Sequence, residues 1–166
     1  MIAAMDAYIA LGSNLGDRRA NLRSGLERLS GCGIRPVAVS SVWETEPVDA
    51  PGPSWFWNMA IKVETDLPAL DLLDRLLEIE RQTGRLRSLR NGPRSLDLDL
   101  LMLGTIRIDH ARLALPHPRM WRRRFVLEPL SEIAPELRNP VTGRTVAEEC
   151  GCLAERVRRI GRLSLD

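Results

Sequence analysis

The chain carries a single lysine, Lys62, and only two histidines, so nearly all of its positive charge is arginine. Cysteine is scarce and odd in number (Cys32, Cys150 and Cys152), with no Cys-x-x-Cys pair and no paired-histidine pattern. That spacing argues against a zinc site and reads as reduced thiols in a cytosolic protein. No stretch approaches the roughly 20 apolar residues of a membrane helix. Met1 to Asp6 lack the basic region and apolar run of a signal peptide, so a cytoplasmic protein is expected. A net charge of +2 is too small to argue for nucleic acid by itself. The familiar nucleotide loops are missing too. Gly12-Ser13-Asn14-Leu15-Gly16-Asp17 is neither a dinucleotide fingerprint nor a lysine-bearing phosphate loop, and Lys62 follows no glycine loop. Kinase-type lysine and catalytic-loop motifs are likewise lacking. Any nucleotide chemistry therefore falls to arginine and metal.

With 166 residues, 44% hydrophobic and 28% charged, one globular domain over residues 1–166 is expected. Ala7 to Leu11 predicts a strand that turns at Gly12-Ser13-Asn14. A helix follows, capped by Ser13 or Asp17, with Leu15, Leu22, Leu26 and Leu29 at helical spacing and Gly31 and Gly33 at its end. Val37 to Trp43 alternates as a second strand, and Asn58 to Thr65 as a third, antiparallel to it, with Met59, Ile61 and Val63 on one face. Pro68 opens a second helix whose predicted buried stripe is Leu70, Leu73, Leu76 and Leu77, and Gly84 stops it. Leu96 to Leu103 is a fourth strand. This order predicts an α+β fold, a two-layer α/β sandwich with a ferredoxin-like βαββαβ core. Beyond it come a hairpin or extended segment over 106–115, a short helix over 125–133, and a last helix. Thr145-Val146-Ala147-Glu148 reads as a capping box that opens this last helix, which should run to about Arg159.

The segment Ser95-Leu96-Asp97-Leu98-Asp99-Leu100 carries the clearest chemical signal. Alternation puts Asp97 and Asp99 on one strand face and the leucines on the other. Aspartate is disfavoured in strands and two like charges on one face repel, a conflict that a cation would remove. Carboxylates suit Mg²⁺, which is usually held by one or two of them together with substrate phosphates. An amphipathic edge strand with an acidic face is the plain alternative. Arg85, Arg87, Arg90 and Arg94 lie just before this strand, and Arg119, Arg122, Arg123 and Arg124 form a second cluster. Guanidinium matches phosphate geometry, so the arginines read as an anion site; ordinary surface ion pairs are the other reading. Glu80 continues the apolar stripe of the second helix, and an inward carboxylate needs a partner. The loop from Glu44 to Trp57 is long enough to be a lid or binding loop. It ends in Trp55, Phe56 and Trp57, followed by Asn58. An aromatic face beside an amide suits a flat heteroaromatic ligand, with Phe56 or Trp57 the better placed.

Together these segments resemble the 6-hydroxymethyl-7,8-dihydropterin pyrophosphokinase family of folate biosynthesis across essentially the whole chain. The resemblance rests on Ala7-Tyr8-Ile9-Ala10-Leu11-Gly12-Ser13-Asn14-Leu15-Gly16, on Gly92-Pro93-Arg94-Ser95-Leu96-Asp97-Leu98-Asp99, and on Pro116-His117-Pro118-Arg119-Met120 with Arg123-Arg124-Phe125-Val126-Leu127. It implies transfer of pyrophosphate from ATP to the pterin hydroxymethyl oxygen, with release of AMP and with two Mg²⁺ held by Asp97 and Asp99. It also implies that Arg85 and Arg94 act on the phosphates during transfer. Glu80, Arg87, His117 and Arg123 would contact ATP. The pterin would lie between Phe56 and Phe125, its edge read by Asn58 and by the backbone around Thr45 and Val48. The implied partners are these two small molecules; composition adds the expectation of neither nucleic acid nor membrane, and a monomer is expected. Asn91 stands where some members carry Trp, Leu77 where a Gln occurs, and Pro118 and Phe56 where a Tyr occurs.

Two rivals differ in class. A ferredoxin-like RNA-binding module predicts salt-sensitive RNA affinity indifferent to Mg²⁺; two aspartates on the candidate sheet face count against it. A metal-dependent nucleotidyltransferase also uses paired aspartates and would release pyrophosphate rather than AMP.

Overall fold

A computed structural model describes residues 3–30, 33–45, 55–84 and 95–163. Its elements are β1 (Met5–Ser13), α1 (Arg18–Leu29), β2 (Ile34–Val39), β3 (Val42–Thr45), β4 (Phe56–Thr65), α2 (Ala69–Gln82) and β5 (Asp97–Leu103). The short pair β6 (Ile108–His110) and β7 (Leu113–Leu115) follows, then α3 (Arg124–Ile133), α4 (Val146–Cys150) and β8 (Val157–Gly161). The main sheet runs β5-β1-β4-β3-β8, with β2 also on β4. Every pairing in it is antiparallel. β2 lies against residues 61–65 of β4 and β3 against residues 56–58, so the two are halves of one interrupted strand. Counted so, the order is that of the expected βαββαβ core.

Alternation along the strands decides the two sheet faces. Ala7, Ile9 and Leu11 of β1, Met59, Ile61 and Val63 of β4, and Leu98 and Leu100 of β5 pack with α1 and α2 in one core. Asp17 caps α1, its carboxylate accepting the Ala20 N–H at 3.0 Å, and Leu22, Leu26 and Leu29 are buried as the periodicity requires. Leu15 precedes the helix and is exposed. In α2 the buried positions are Leu72, Leu76, Ile79 and Glu80, while Leu70, Leu73 and Leu77 are half-buried. The real stripe is rotated because the helix meets the edge of the sheet as well as its face. Glu80 lies inward, as its place on the helix leads one to expect, at 2% exposure.

The opposite face is covered in part. Tyr8, Ala60, Leu101 and Met102 pack against Met120, Val126, Leu127, Leu130, Val146 and Cys150. This third layer stands on the two-layer core and occupies the surface that an RNA-binding sheet would leave open. The Thr145 capping box forms, but its helix ends at Cys150 rather than near Arg159. Val157 to Gly161 instead pairs with β3 as an edge strand. The free backbone of β3 provides hydrogen bonds to this segment that propensity alone does not anticipate.

The break between β2 and β3 falls at Ser40–Ser41. Ser40 N–H donates to the Ala60 carbonyl at 2.9 Å, and the Ala60 N–H donates back to Ser40 Oγ at 2.8 Å. Glu132 of α3 closes the gap, accepting the Ser41 N–H at 3.1 Å and the Trp43 indole N–H at 2.6 Å. One carboxylate thus ties the third layer to β3. Replacing it by Glu132→Ala leaves the Ser41 amide without that partner and should lower stability by about 1–3 kcal/mol in denaturant titration.

Candidate active site

Asp97 and Asp99 open β5, half-exposed, with Leu98 and Leu100 buried behind them. Register places Asp97 opposite Gly12 and Asp99 opposite Ala10 on β1. Across β1, Gly12 faces Asn58 and Ala10 faces Ala60 on β4. Asp97, Gly12 and Asn58 therefore form one row across three strands, on the face that carries α3. The row is built by pairing alone, since partners in register share a face.

Asn58 is 8% exposed and Thr45 4%. The Asn58 side-chain N–H donates to Thr45 Oγ1 at 2.9 Å, which fixes the amide's orientation. Its other atom, Oδ1, hangs over Gly12. A Cβ at Gly12 would come within 3.0 Å of that oxygen and 3.9 Å of the Phe56 ring. A glycine inside a strand marks close approach, and here it keeps a gap between the aspartates and the amide. Gly12 does not open a turn, as its sequence context leads one to expect; β1 continues through Ser13. The signal that would have found it is the long β4 pairing, which requires β1 to be equally long.

Phe56 lies two residues before Asn58 and so on its face. Trp57 is on the other. Its indole N–H donates to Glu44 at 2.8 Å, and the Arg18 guanidinium stacks 4.6 Å from its ring centre. Arg158 donates to the same carboxylate at 2.7 Å. Hydrogen bonds from Trp57 and Arg158 and the charges of Arg158 and Arg18 hold the Glu44 carboxyl below its ordinary value, although burial opposes them most strongly. Of the two aromatics left open by the sequence, Phe56 belongs with Asn58 and Trp57 with Glu44. An open cleft of about 790 Å³ is lined by Arg18, Glu44, Trp55 and Arg158 among others, and none of Asp97, Asp99, Gly12 or Asn58 lines it.

The third layer brings further groups toward the row. Phe125 sits in the first turn of α3, and Arg123, the residue before that helix, stacks 5.5 Å from its ring centre. His117 follows a cis Leu115–Pro116 bond, and its N–H donates to the Leu101 carbonyl at 2.8 Å. That bond ties the Pro116-His117-Pro118 segment to β5. Burial, then the charges of Arg123 and Arg119, push the His117 imidazole below its ordinary value, with Asp97 acting weakly in the other direction. This direction favours the neutral ring. Its Nδ1 accepts the Arg119 N–H at 3.2 Å, so the proton sits on Nε2. His110, given no role by the sequence, is exposed on the hairpin.

Glu80 reaches the same place from behind. Its Oε1 accepts the Leu98 N–H at 2.7 Å, between the two aspartates. Val48, Arg85, Arg87 and Arg94 lie outside the described residues. Among the described residues no group of three or more His, Cys, Asp or Glu side chains stands ready to hold a metal. Two adjacent carboxylates, completed by phosphate oxygens, nevertheless fit the donor preference of Mg²⁺. Among the described residues no helix is long and apolar enough to cross a membrane.

Residues 8–135 match the family model described as 7,8-dihydro-6-hydroxymethylpterin-pyrophosphokinase. The chain is 41% identical over 144 residues to the 2-amino-4-hydroxy-6-hydroxymethyldihydropteridine pyrophosphokinase of Bacillus subtilis, covering 86% of each. It is 44% identical over 144 residues to the protein of the same name from Pseudomonas aeruginosa, covering 85% of this chain and 87% of that one. In fold it is similar to a crystal structure of Plasmodium falciparum HPPK-DHPS, with a TM-score of 0.72 at 13% identity. That match covers 91% of this chain and 44% of the longer one. The segments that carry the aspartates, the asparagine and the histidine all fall within the matched span, and the chain belongs to the 7,8-dihydro-6-hydroxymethylpterin-pyrophosphokinase family, enzymes that transfer pyrophosphate in folate synthesis.

Proposed function

We propose that this chain transfers the terminal pyrophosphate of ATP to the hydroxymethyl oxygen of 6-hydroxymethyl-7,8-dihydropterin. The hydroxyl oxygen bonds to the β-phosphorus, the bond from that phosphorus to the α–β bridging oxygen breaks, AMP leaves, and the hydroxyl proton passes to solvent. The observation that carries the reading is the row of Asp97, Gly12 and Asn58. It sets a pair of hard oxygen ligands beside an oriented amide on a single face.

Asp97 and Asp99 would hold two Mg²⁺, which when bound screen the triphosphate and polarise its phosphoryl oxygens. On the phosphate side, His117 offers an Nε2–H donor and Arg123 a guanidinium. Arg85, Arg87 and Arg94 are assigned to the phosphates by resemblance alone. On the acceptor side, Thr45 holds the Asn58 amide so that its oxygen accepts from a ring N–H or exocyclic amine of the pterin. Phe56 and Phe125 supply flat apolar walls for the ring. Val48 is assigned to the pterin edge by resemblance. Glu80 is by resemblance an ATP contact.

The direct assay is incubation with Mg·ATP and the pterin alcohol. AMP that forms only when the pterin is present is the expected result; pyrophosphate release in its place would favour nucleotidyl transfer. Asp97→Asn and Asp99→Asn should each lower turnover by about a thousandfold with an unchanged circular dichroism spectrum. Retained activity in both variants would remove the metal-ligand role. Gly12→Ala pushes a methyl into the Asn58 oxygen. It should raise the KM for the pterin about tenfold, equivalent to one lost hydrogen bond, and leave the KM for ATP nearly unchanged.

A further inference from the structure

Glu80 occupies a place where a carboxylate is unfavourable on two counts. It is buried on a stripe otherwise made of Leu72, Leu76 and Ile79. It also lies in the last turn of α2, where the negative end of the helix dipole opposes an anion. An apolar side chain would suit both the packing and the dipole. One oxygen of the carboxylate takes the Leu98 N–H at 2.7 Å. Leu98 is 4% exposed, and β5 is the outermost strand of the sheet on that side. Its pairing partner β1 holds one edge of the Asp97–Asp99 backbone. On the other edge there is no strand among the described residues, and Glu80 supplies the acceptor that a strand would have supplied.

We propose that Glu80 is a positioning residue for the aspartate pair. By fixing the amide between them it sets the twist and spacing of the strand on which Asp97 and Asp99 point outward. The buried Leu72, Leu76 and Ile79 hold α2 rigidly enough to make that acceptor a fixed point. This differs from a direct contact to ATP, the role that resemblance implies. It rests on the reading of Asp97 and Asp99 as metal ligands. Removing an anchor behind a ligand typically weakens metal binding by about tenfold to a hundredfold.

Three variants separate the possibilities. Glu80→Gln keeps an acceptor oxygen and loses the charge. Glu80→Met keeps the volume and loses the acceptor, and Glu80→Asp keeps the charge but draws the acceptor back by one methylene. Hydrogen exchange at the Leu98 amide of the metal-free protein should stay slow in Glu80→Gln and quicken at least about tenfold in the other two. Calorimetric titration of Mg²⁺ into protein with a non-hydrolysable ATP analogue should show affinity near wild type in Glu80→Gln. It should show about tenfold to a hundredfold weaker affinity in Glu80→Met and Glu80→Asp. If Glu80→Met does not fold, Glu80→Asp carries the comparison. The proposal is overturned if Leu98 exchange is the same in all variants, if Glu80→Met binds Mg²⁺ like wild type, or if Glu80→Gln is as impaired as Glu80→Met. The exchange measurement involves neither metal nor turnover, so an inactive wild-type protein would count against the proposed reaction without deciding this one.

Discussion

The site depends on β1 being paired along both edges. β1 is buried between β4 and β5, and its nine residues pair with β4 from Met5 to Ser13. Because strand partners in register share a face, this double pairing carries Asp97 from one neighbour and Asn58 from the other to the two sides of Gly12. A slip of one residue on either edge would turn one of these groups into the leucine-rich core. The core itself forbids that slip. Ile9 and Leu11 on β1, Met59 and Ile61 on β4, and Leu98 and Leu100 on β5 have to reach the same side together. The hydrophobic face thus fixes the register, and the register fixes the polar row on the face behind it.

Carboxylates do two different jobs around that row. Asp97 and Asp99 are half-exposed and point outward. Glu80, Glu44 and Glu132 hold backbone or side-chain N–H groups that would otherwise lack these partners. Glu132 joins α3 to the break before β3, Glu44 gathers Trp57, Arg18 and Arg158, and Glu80 sits behind β5. Glu80 and Glu132 act where the sheet ends or is interrupted, places where the backbone ladder alone cannot satisfy every donor, while Glu44, inside β3, gathers side-chain donors. Apart from Lys62, which meets Asp6, the chain meets its carboxylates with arginine, whose planar fork can serve an acid and an aromatic ring at once, as Arg18 does.

Most of the core was legible in the sequence because its signal is local. The alternation of Met59, Ile61 and Val63, the Asp17 cap, the Thr145 capping box and the Asp97–Asp99 alternation all concern residues a few positions apart. The stripe of α2 is rotated from the one its sequence predicts, since Leu70, Leu73 and Leu77 are as apolar as Leu72 and Ile79, and only the sheet edge distinguishes them. The last helix is shorter than its capping box leads one to expect for a similar reason: Val157 to Gly161 carries no strong preference, and β3, more than a hundred residues earlier, decides its state.

By itself the sequence determined that two aspartates share a strand face, that Glu80 turns inward, and that arginine is the cation at hand. These follow from the periods of strand and helix. Tertiary structure decided that Gly12 is a gap rather than a turn, that Phe56 and not Trp57 accompanies Asn58, and that Glu80 meets the amide between the aspartates. Each of those facts joins residues on different strands or helices. Their proximity is set by register and layer packing, which no local pattern encodes.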